Sequence, residues 1–464
     1  MSVEILARIQ FAFTVAFHYI FPPLSIGLGL ILVIMEGMYL KTKNETYKTM
    51  TYFWVKIFAL IFGIGVASGI VLEFQFGTNW ATYSRYVGDI FGSALAAEGI
   101  FAFFLESGFL AILVFGWHRV SPKVHFFSTI MVWLGSTFSA VWIIVANSWM
   151  QTPAGYKIVG EGMNAKANIT DFWAMVFNPS SIDRLSHTVT AAWMTAAFFV
   201  TSVAAYYLLK GRHLDIAKMS MKIGLSLALV ASLLQLVTGH KSVVGVAANQ
   251  PAKLAAMEGH YDSSKPLDIT MFGYVDANGQ KSVGPKIPGL GSWLTYGDAS
   301  KPMKGLDQIP EKDRPPVQAT FQFFHLMIAI GFFLIGVSVL GAFYWWRGTL
   351  WDKKWFLKLM VWCVLLPQIA NQAGWFAAEV GRQPWIVYGM LRTSEALSKA
   401  VKSHQVLTSL ILFILIYALL FALFVFLLDR KIKHGPDDTT SDEPSDDDLI
   451  LDKSAQKAMR EVNA

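Results

Sequence analysis

Long apolar runs, separated by shorter polar connections, follow one another along most of the chain. Nine of these runs reach the length of about 20 residues that a helix needs to cross the hydrocarbon core of a bilayer. Their approximate cores are residues 9–35, 53–76, 94–115, 126–149, 187–209, 221–239, 318–346, 357–376 and 405–428. The pattern predicts an all-α integral membrane protein with nine transmembrane helices in bundles. The first run is too long for the apolar part of a cleavable signal, so we expect it to be retained.

The connections between the runs alternate in character. One set is short and rich in Lys and Arg, as at residues 41–48 and 118–125, and the other set is longer and mixed. Because short Lys- and Arg-rich loops stay in the cytoplasm, we expect the N-terminus outside and the C-terminus inside. The same pattern divides the chain into four regions: residues 1–239 with helices 1–6, an extracytoplasmic loop at 240–317, helices 7–9 at 318–434, and an acidic cytoplasmic tail at 435–464.

Composition narrows the class of protein further. Of the 464 residues only 15% are charged, against about 25% in an average soluble protein. The net charge of +6 is carried mostly by the short loops, so it reflects membrane topology rather than nucleic-acid binding. The only cysteine, Cys363, excludes an intrachain disulfide, a cysteine-built zinc or iron–sulfur site, and covalent haem attachment through a CxxCH motif.

Polar side chains within the apolar runs are the candidates for function, because burying them in a membrane is costly. His18 lies in the first run, His187 at the outer end of the fifth, and Met327 in the seventh. A histidine and a thioether can together ligate a six-coordinate haem iron. From the residues alone, a lone histidine more often bonds a neighbouring helix and a lone methionine more often fills the core. His325 is a rival ligand two residues from Met327.

Among the carboxylates within a run or at its end, three are candidates for function. Glu98 and Glu106 are eight residues apart, which is two helical turns plus about 80° of rotation, so both can border one cavity. Two buried carboxylates predict a proton relay. Glu379, at the end of the eighth run, either pairs with Arg382 or serves as a weak axial ligand to a haem iron.

Four segments together carry a family resemblance. They are residues 7–13 followed by His18, Glu98 followed by residues 105–108, residues 146–153, and residues 381–385. In this order and spacing they resemble the large subunit of the cytochrome bd-type quinol oxidases, from Arg8 to about residue 430. The last segment, Gly-Arg-Gln-Pro-Trp, is the most specific of the four.

The resemblance implies three haems held without covalent bonds: a low-spin haem b, a high-spin haem b and a haem d. His187 and Met327 match the axial ligands of the low-spin haem. His18 and Glu379 match ligands of the two high-spin haems, although members differ in which haem takes which position. His325 departs from the family, where arginine is frequent at this position, so the charge beside the low-spin haem would differ.

Further residues match by the same resemblance. Trp375 matches a tryptophan near the haems, and Arg382 matches an arginine that neutralises a haem propionate. The matching residues of the proton path are Glu98, Glu106, Ser107 and Ser139. The long loop matches a quinol-binding loop of the short type, in which the residues implicated in quinol oxidation are Gln250, Lys253 and Glu258. Without the resemblance, an exposed Lys253–Glu258 pair on a surface helix would be favoured.

The resemblance therefore predicts a quinol:oxygen oxidoreductase of the respiratory chain in the bacterial cytoplasmic membrane. It would oxidise ubiquinol or menaquinol at the outer face, reduce O2 to water at the high-spin haem pair, and charge the membrane without pumping. The expected partners are subunit II of the oxidase in a membrane heterodimer, quinol, O2 and the lipid bilayer, with a small single-span subunit as a further candidate. Two alternatives stay open: a haem-free polytopic proton-coupled transporter, and a dihaem electron-transfer cytochrome b, which usually carries four histidines on two helices.

Overall fold

The computed structural model describes residues 2–436, so the predicted acidic tail lies outside the described residues from position 437 onward. Within residues 2–436, nine helical segments are long and apolar enough to cross a membrane, which confirms the predicted all-α architecture. The helices, in chain order, are α1 (Val3–His18), α2 (Phe21–Thr42), α3 (Glu45–Thr78), α4 (Ala81–Tyr86), α5 (Gly88–Glu98), α6 (Phe104–Phe115), α7 (Pro122–Gln151), α8 (Phe172–Val176), α9 (Ser181–Lys210), α10 (Leu214–Asn249), α11 (Pro251–Glu258), α12 (Leu290–Tyr296), α13 (Val317–Trp346), α14 (Lys354–Trp362), α15 (Leu366–Val380) and α16 (Ser403–His434).

The first span is interrupted, although the sequence predicted one run over residues 9–35. The break falls after His18, and a new helix begins with Pro22 and Pro23 in its first turn. A proline removes a backbone donor and clashes with the preceding turn, so it is tolerated at a helix start and not inside one. The break leaves His18 as the last residue of α1, where its ring can reach a neighbouring helix.

Two other spans also depart from a continuous α-helix. The third span contains five π-helical residues, Gly99–Phe103, between α5 and α6. The eighth is divided between α14 and α15, where Pro367 stands in the first turn of α15. Both irregularities precede a predicted functional carboxylate, Glu106 in the third span and Glu379 in the eighth.

The sixth span is longer than its predicted core of 221–239. α10 continues to Asn249, and only Gln250 separates it from α11, which begins at Pro251. The predicted loop at 240–317 therefore starts with helical residues. The apolar pattern ends earlier than the helix because His240 and Lys241 are polar, whereas the backbone hydrogen bonds continue.

Among residues 2–436, the β-strands form four small antiparallel two-stranded pairs outside the spans. The paired strands are β1 (Tyr156–Val159) with β2 (Lys166–Ile169), β3 (Ile269–Thr270) with β6 (Lys286–Ile287), β4 (Tyr274–Asp276) with β5 (Lys281–Val283), and β7 (Trp385–Val387) with β8 (Leu391–Arg392). Two of the four pairs stiffen the long segment between α11 and α13, which the sequence left without assigned structure.

α9 forms the centre of the bundle and packs against α10, α2, α14 and α7. Small side chains allow this close approach, since a Cβ built on Gly27 of α2 would lie 2.4 Å from the carbonyl oxygen of Ala192. Small residues are typical of membrane-helix interfaces, where close packing drives association. α7 packs against α2, α5 and α6 as well as α9, so it borders both helices that carry Glu98 and Glu106.

Candidate functional site

Two of the predicted histidine ligands lie at helix–helix contacts. His18 places its Nδ1 atom 3.0 Å from the hydroxyl of Ser68 on α3. His187, on α9, places its Nδ1 atom 3.2 Å from the hydroxyl of Thr238 on α10. A neighbouring helix therefore contacts each imidazole at Nδ1, which leaves Nε2 as the nitrogen that could bind a metal.

Met327 lies at the contact between α13 and α15. A Cβ built on Gly374 would lie 2.6 Å from its Sδ atom, so the glycine makes room for the thioether. The rival residue, His325, is already engaged at both ring nitrogens. Its Nδ1 is 2.9 Å from the carbonyl oxygen of Phe321, and its Nε2 is 2.6 Å from that of Thr270. These contacts favour Met327 over His325 as a metal ligand.

Glu379, at the end of α15, is the centre of a buried polar network. Its Oε2 atom accepts a hydrogen bond from Arg382 at 2.5 Å, so the predicted ion pair is present. Its Oε1 atom accepts from the side-chain amides of Asn147 at 3.1 Å and Gln151 at 3.3 Å, both on α7. Arg184 joins the network by donating to the side-chain oxygen of Asn147. Four helices or turns thus converge on one carboxylate.

Lys253 extends this network into the long loop. Its Nζ atom donates to the side-chain oxygen of Gln151, and to that of Gln250 at 2.8 Å. Only 1% of Lys253 and 5% of Glu258 is exposed, so the surface pair favoured from the residues alone is wrong. The Nζ atom of Lys253 is bonded to two side-chain amides, and the Oε2 atom of Glu258 lies 3.8 Å from Nε2 of His325.

Burial governs the chemistry of these two loop residues. It holds the pKa of Lys253 well below its usual range, and the positive charges of Arg184 and Arg382 lower this pKa further. Burial also raises the pKa of Glu258 to about 8. Both shifts favour the neutral forms, and the pKa of about 8 lets Glu258 exchange a proton near physiological pH.

Glu98 and Glu106 both face α7, as the spacing predicted. The Ser139 hydroxyl donates to Glu98 at 2.5 Å, and the Ser136 hydroxyl donates to Glu106. The intervening π-helical residues explain the alignment, because a π turn holds more residues than an α turn and so reduces the 80° offset of a regular helix. A Cβ built on Gly135 would lie 2.8 Å from Cβ of Glu106, so a glycine also permits the close approach of the two helices.

Sequence reasoning missed four residues that the structure brings to these carboxylates: Asn147, Gln151, Ser136 and Arg184. The first three share one signal with Ser139, since polar residues recur on α7 at helical spacing along a face that meets other helices. Arg184 gave the clearest signal, an arginine three residues before His187 at a span end. Ser107 behaves differently, because it is exposed and its hydroxyl donates to the carbonyl of Phe103 at 2.7 Å.

Comparison with known proteins decides the family. The model of the family described as cytochrome bd terminal oxidase subunit I matches residues 6–436. The chain belongs to this family. It is 39% identical to the cytochrome bd ubiquinol oxidase subunit 1 of Bacillus subtilis (strain 168), over 94% of each chain. It is 34% identical to the cytochrome bd-II ubiquinol oxidase subunit 1 of Escherichia coli (strain K12), over 95% of this chain and 98% of the relative.

A solved structure agrees with this assignment to the cytochrome bd family. The bd oxidase of Geobacillus thermodenitrificans matches with a TM-score of 0.86 and 31% identity, over 94% of this chain and 99% of that chain. The protein is therefore a multi-pass bacterial membrane protein and a respiratory oxidoreductase subunit, and a subunit I implies a complex with other subunits. Cytochrome membership also implies haem cofactors.

The residues of the polar network fit a haem. Arg382 bonds the Glu379 carboxylate directly, and Arg184 joins the same network through Asn147. With two guanidinium groups and one carboxylate, the network has more positive than negative groups. Among residues 2–436, the Nε atom of Arg184 and the Nη1 atom of Arg382 are buried without a hydrogen-bond partner. Buried charged donors need acceptors. The two propionates of a haem supply negative charge and acceptor oxygens of the kind that these donors lack.

Proposed function

We propose that this chain is the subunit that oxidises a membrane quinol and reduces O2 to water. One observation carries the proposal beyond family membership: Gln151 bonds both Lys253 of the long loop and Glu379 of the predicted haem centre. A residue matched to quinol oxidation and a residue matched to haem ligation thus share one amide. Relatives named as ubiquinol oxidases support the same reaction.

Four residues would hold the haem irons. His187 and Met327 would ligate a low-spin haem b, and His18 and Glu379 would ligate a high-spin haem b and a haem d. The bound haems would supply electron transfer and oxygen chemistry. Arg382 would pair with a propionate, a role that its buried unpaired Nη1 atom supports.

Trp375 is the further residue assigned to the haem centre. It is partly buried on α15, beside the glycine that faces Met327, and its ring lies edge-on to Phe376 at 5.0 Å. An aromatic side chain in this position would provide a flat apolar wall for a porphyrin or chlorin ring. This position next to Gly374 supports its assignment near the haems.

Quinol would bind at the helix α11, within the proposed extracytoplasmic loop at 240–317. Lys253 and Glu258 would accept the protons that the quinol hydroxyls lose, because burial favours the neutral amine of Lys253 and makes the Glu258 carboxylate a stronger base. Gln250 would orient Lys253 through its 2.8 Å hydrogen bond. The acceptors must be unprotonated when quinol arrives, which links the reaction rate to pH.

Protons for O2 reduction would reach the haem centre along α7. Glu106 and Glu98 would pass them on, assisted by the hydroxyl of Ser139, and Ser136 joins this path on the strength of its contact with Glu106. Ser107 stays a proposed member with weaker support, since its hydroxyl is bonded to its own helix. Uptake from the cytoplasm and release outside would charge the membrane without a pump.

A second membrane subunit would cover part of the chain. The outer surface of the third span is apolar and exposed, with Phe101 at 61% and Phe104 at 69% accessible. Such a surface needs lipid or another apolar protein surface beside it. We assign subunit II of a heterodimer to this role, with a small single-span subunit as a further partner.

The purified complex provides the test. Its dithionite-reduced minus oxidised spectrum and its pyridine haemochrome should show b-type haem and a red-shifted chlorin band, together with O2 uptake driven by quinol. Bands of b-type haem alone would remove haem d from the proposal. A colourless complex that had not lost cofactor in detergent would overturn it and favour the proton-coupled transporter.

A further inference from the structure

α3 and α10 present the same two-residue arrangement to the two histidine ligands. In α3, Ser68 reaches Nδ1 of His18 at 3.0 Å, and a Cβ built on the next residue, Gly69, would lie 3.1 Å from Cε1 of that ring. We call this pair of a hydroxyl residue and the glycine after it a clasp. The hydroxyl holds the ring, and the absent side chain leaves space for it.

The second clasp lies on α10. Thr238 reaches Nδ1 of His187 at 3.2 Å, and a Cβ built on Gly239 would lie 3.4 Å from Cε1 of the ring. Neither glycine has a positive φ, so the need for glycine comes from the ring and not from the backbone. The same geometry on two separate helices indicates a shared purpose.

The Ser68 hydroxyl is able to accept a hydrogen bond from His18. It has two backbone acceptors for its own hydrogen, the carbonyls of Ile64 at 2.8 Å and Gly65 at 3.0 Å. A hydroxyl has one hydrogen, so when that hydrogen is bonded to a carbonyl its oxygen can only accept from the ring. In that arrangement the proton between Ser68 and His18 is on Nδ1, and Nε2 keeps the lone pair that a metal requires.

The same reasoning applies to the hydroxyl of the second clasp. The Thr238 hydroxyl donates to the carbonyl of Leu234 at 3.0 Å or to the side-chain oxygen of Gln235 at 3.3 Å. The amide nitrogen of Gln235 is occupied by the backbone carbonyl of His187 at 3.1 Å, which turns its oxygen toward Thr238. With its hydrogen bonded to either oxygen, Thr238 can also accept a hydrogen bond from the Nδ1–H of His187, and the ring then presents an unprotonated Nε2.

We propose that Ser68 and Thr238 are positioning residues that hold His18 and His187 as Nδ1–H tautomers with Nε2 directed at haem iron. The inference rests on the proposed ligand roles of the two histidines. An Nδ1–H that donates a hydrogen bond makes the imidazole a more basic ligand. A more basic ligand stabilises the ferric iron, so each clasp lowers the reduction potential of its haem.

Thr238→Val tests the second clasp, because valine keeps the shape of threonine and removes the hydroxyl. In the purified complex we expect the low-spin haem to be retained with a midpoint potential above that of the parent. Thr238→Ser keeps the hydroxyl and should restore the parent potential. Thr201→Val is the matched control, since Thr201 is buried on α9 and its hydroxyl donates to the backbone of Phe198. An unchanged potential in Thr238→Val would overturn the inference for His187.

Ser68→Ala tests the first clasp with a different observable. We expect the iron–histidine stretching frequency of the ferrous high-spin haem to fall in resonance Raman spectra, and Ser68→Thr to restore it. A purely packing role would leave this frequency unchanged in both variants, which would overturn the inference for His18. If the Thr238→Val complex does not assemble, the Ser68→Ala measurement still tests the inference.

His187→Ala separates the inference from the function on which it rests. Loss of the low-spin haem spectrum in this variant supports the ligand assignment. If that spectrum is lost while Thr238→Val keeps the parent potential, only the clasp is wrong. If the low-spin spectrum survives in His187→Ala, the ligand assignment fails, and the clasp on α10 fails with it.

Discussion

Three carboxylates contact the same helix, α7, and Glu379 has different hydrogen-bond partners from Glu98 and Glu106. Glu379 accepts hydrogen bonds from the guanidinium of Arg382 and from two amides of α7. Glu98 and Glu106 accept from serine hydroxyls, about two to four turns further toward the start of the same helix. One helix therefore serves a charged network at one end and a pair of hydroxyl-bonded acids in its middle.

The two sets of hydrogen-bond partners differ in whether they allow the carboxylate to change its protonation state. Guanidinium and amide N–H groups can only donate, so they suit a carboxylate that stays ionised. A hydroxyl can donate to a carboxylate and accept from a carboxylic acid, so it tolerates both protonation states. Glu379 is thus suited to anchoring a cofactor, whereas Glu98 and Glu106 are suited to carrying protons.

The largest effect should come from removing the fixed charge. Glu379→Gln leaves Arg382 without its carboxylate partner, and breaking a buried pair in this way costs about 3–5 kcal/mol. We expect loss of haem per complex and a lower melting temperature. Glu45→Gln is the control, because it removes an exposed pair with Lys48 and should change neither. A stable Glu379→Gln complex with full haem content would contradict the anchoring role.

Removing a proton carrier should instead spare the structure. In Glu106→Gln, the amide still packs against α7 but cannot gain or lose a proton. We expect quinol-driven O2 uptake to fall about 10²-fold or more, with haem content and melting temperature near those of the parent. If O2 uptake stayed at the parent rate, proton transfer through Glu106 would be excluded.

The dependence on pH should reveal the quinol-side acid. The pKa of Glu258 is raised to about 8, so its ionised, proton-accepting form appears as pH rises through that value. Quinol oxidation should therefore increase from about pH 7 to pH 9 and level off above. Glu258→Gln should flatten this profile and lower the rate, whereas Glu311→Gln, on an exposed part of the same loop, should keep it. An unchanged profile in Glu258→Gln would assign the titration to another group.

The smallest effect on O2 uptake is expected from substitutions of two serines, Ser136 and Ser107. Ser136→Ala removes the hydroxyl that bonds Glu106, and we expect a several-fold fall in O2 uptake, because one hydrogen bond contributes about 1 kcal/mol. Ser107→Ala removes a hydroxyl bonded to its own helix and should have less effect. Steady-state O2 uptake at saturating quinol measures both. The reverse order of effects would restore Ser107 to the centre of the proton path and remove Ser136.

The spans and most individual site residues follow from the sequence, but their pairings do not. The apolar runs mark where helices cross, and the prolines at 22, 23 and 367 mark where they break. The partners of Glu106 and Glu379 depend on how each helix is rotated about its axis, which a run of apolar residues leaves open. The burial of Lys253 was equally hidden, because α11 is covered by residues distant in the sequence.

The π-helical stretch Gly99–Phe103 is invisible in the sequence, which reads there as an ordinary apolar run. It has the geometry of a helix that has accommodated one inserted residue. Deleting a single residue from it would restore a regular helix and shorten the span by only about 1.5 Å. Glu98 and Glu106 would then be seven residues apart, only about 20° short of two full turns, so Glu106 would still face α7. This span thus tolerates the loss of one residue at 99–103, whereas the same loss from a regular helix would turn every following position by about 100°.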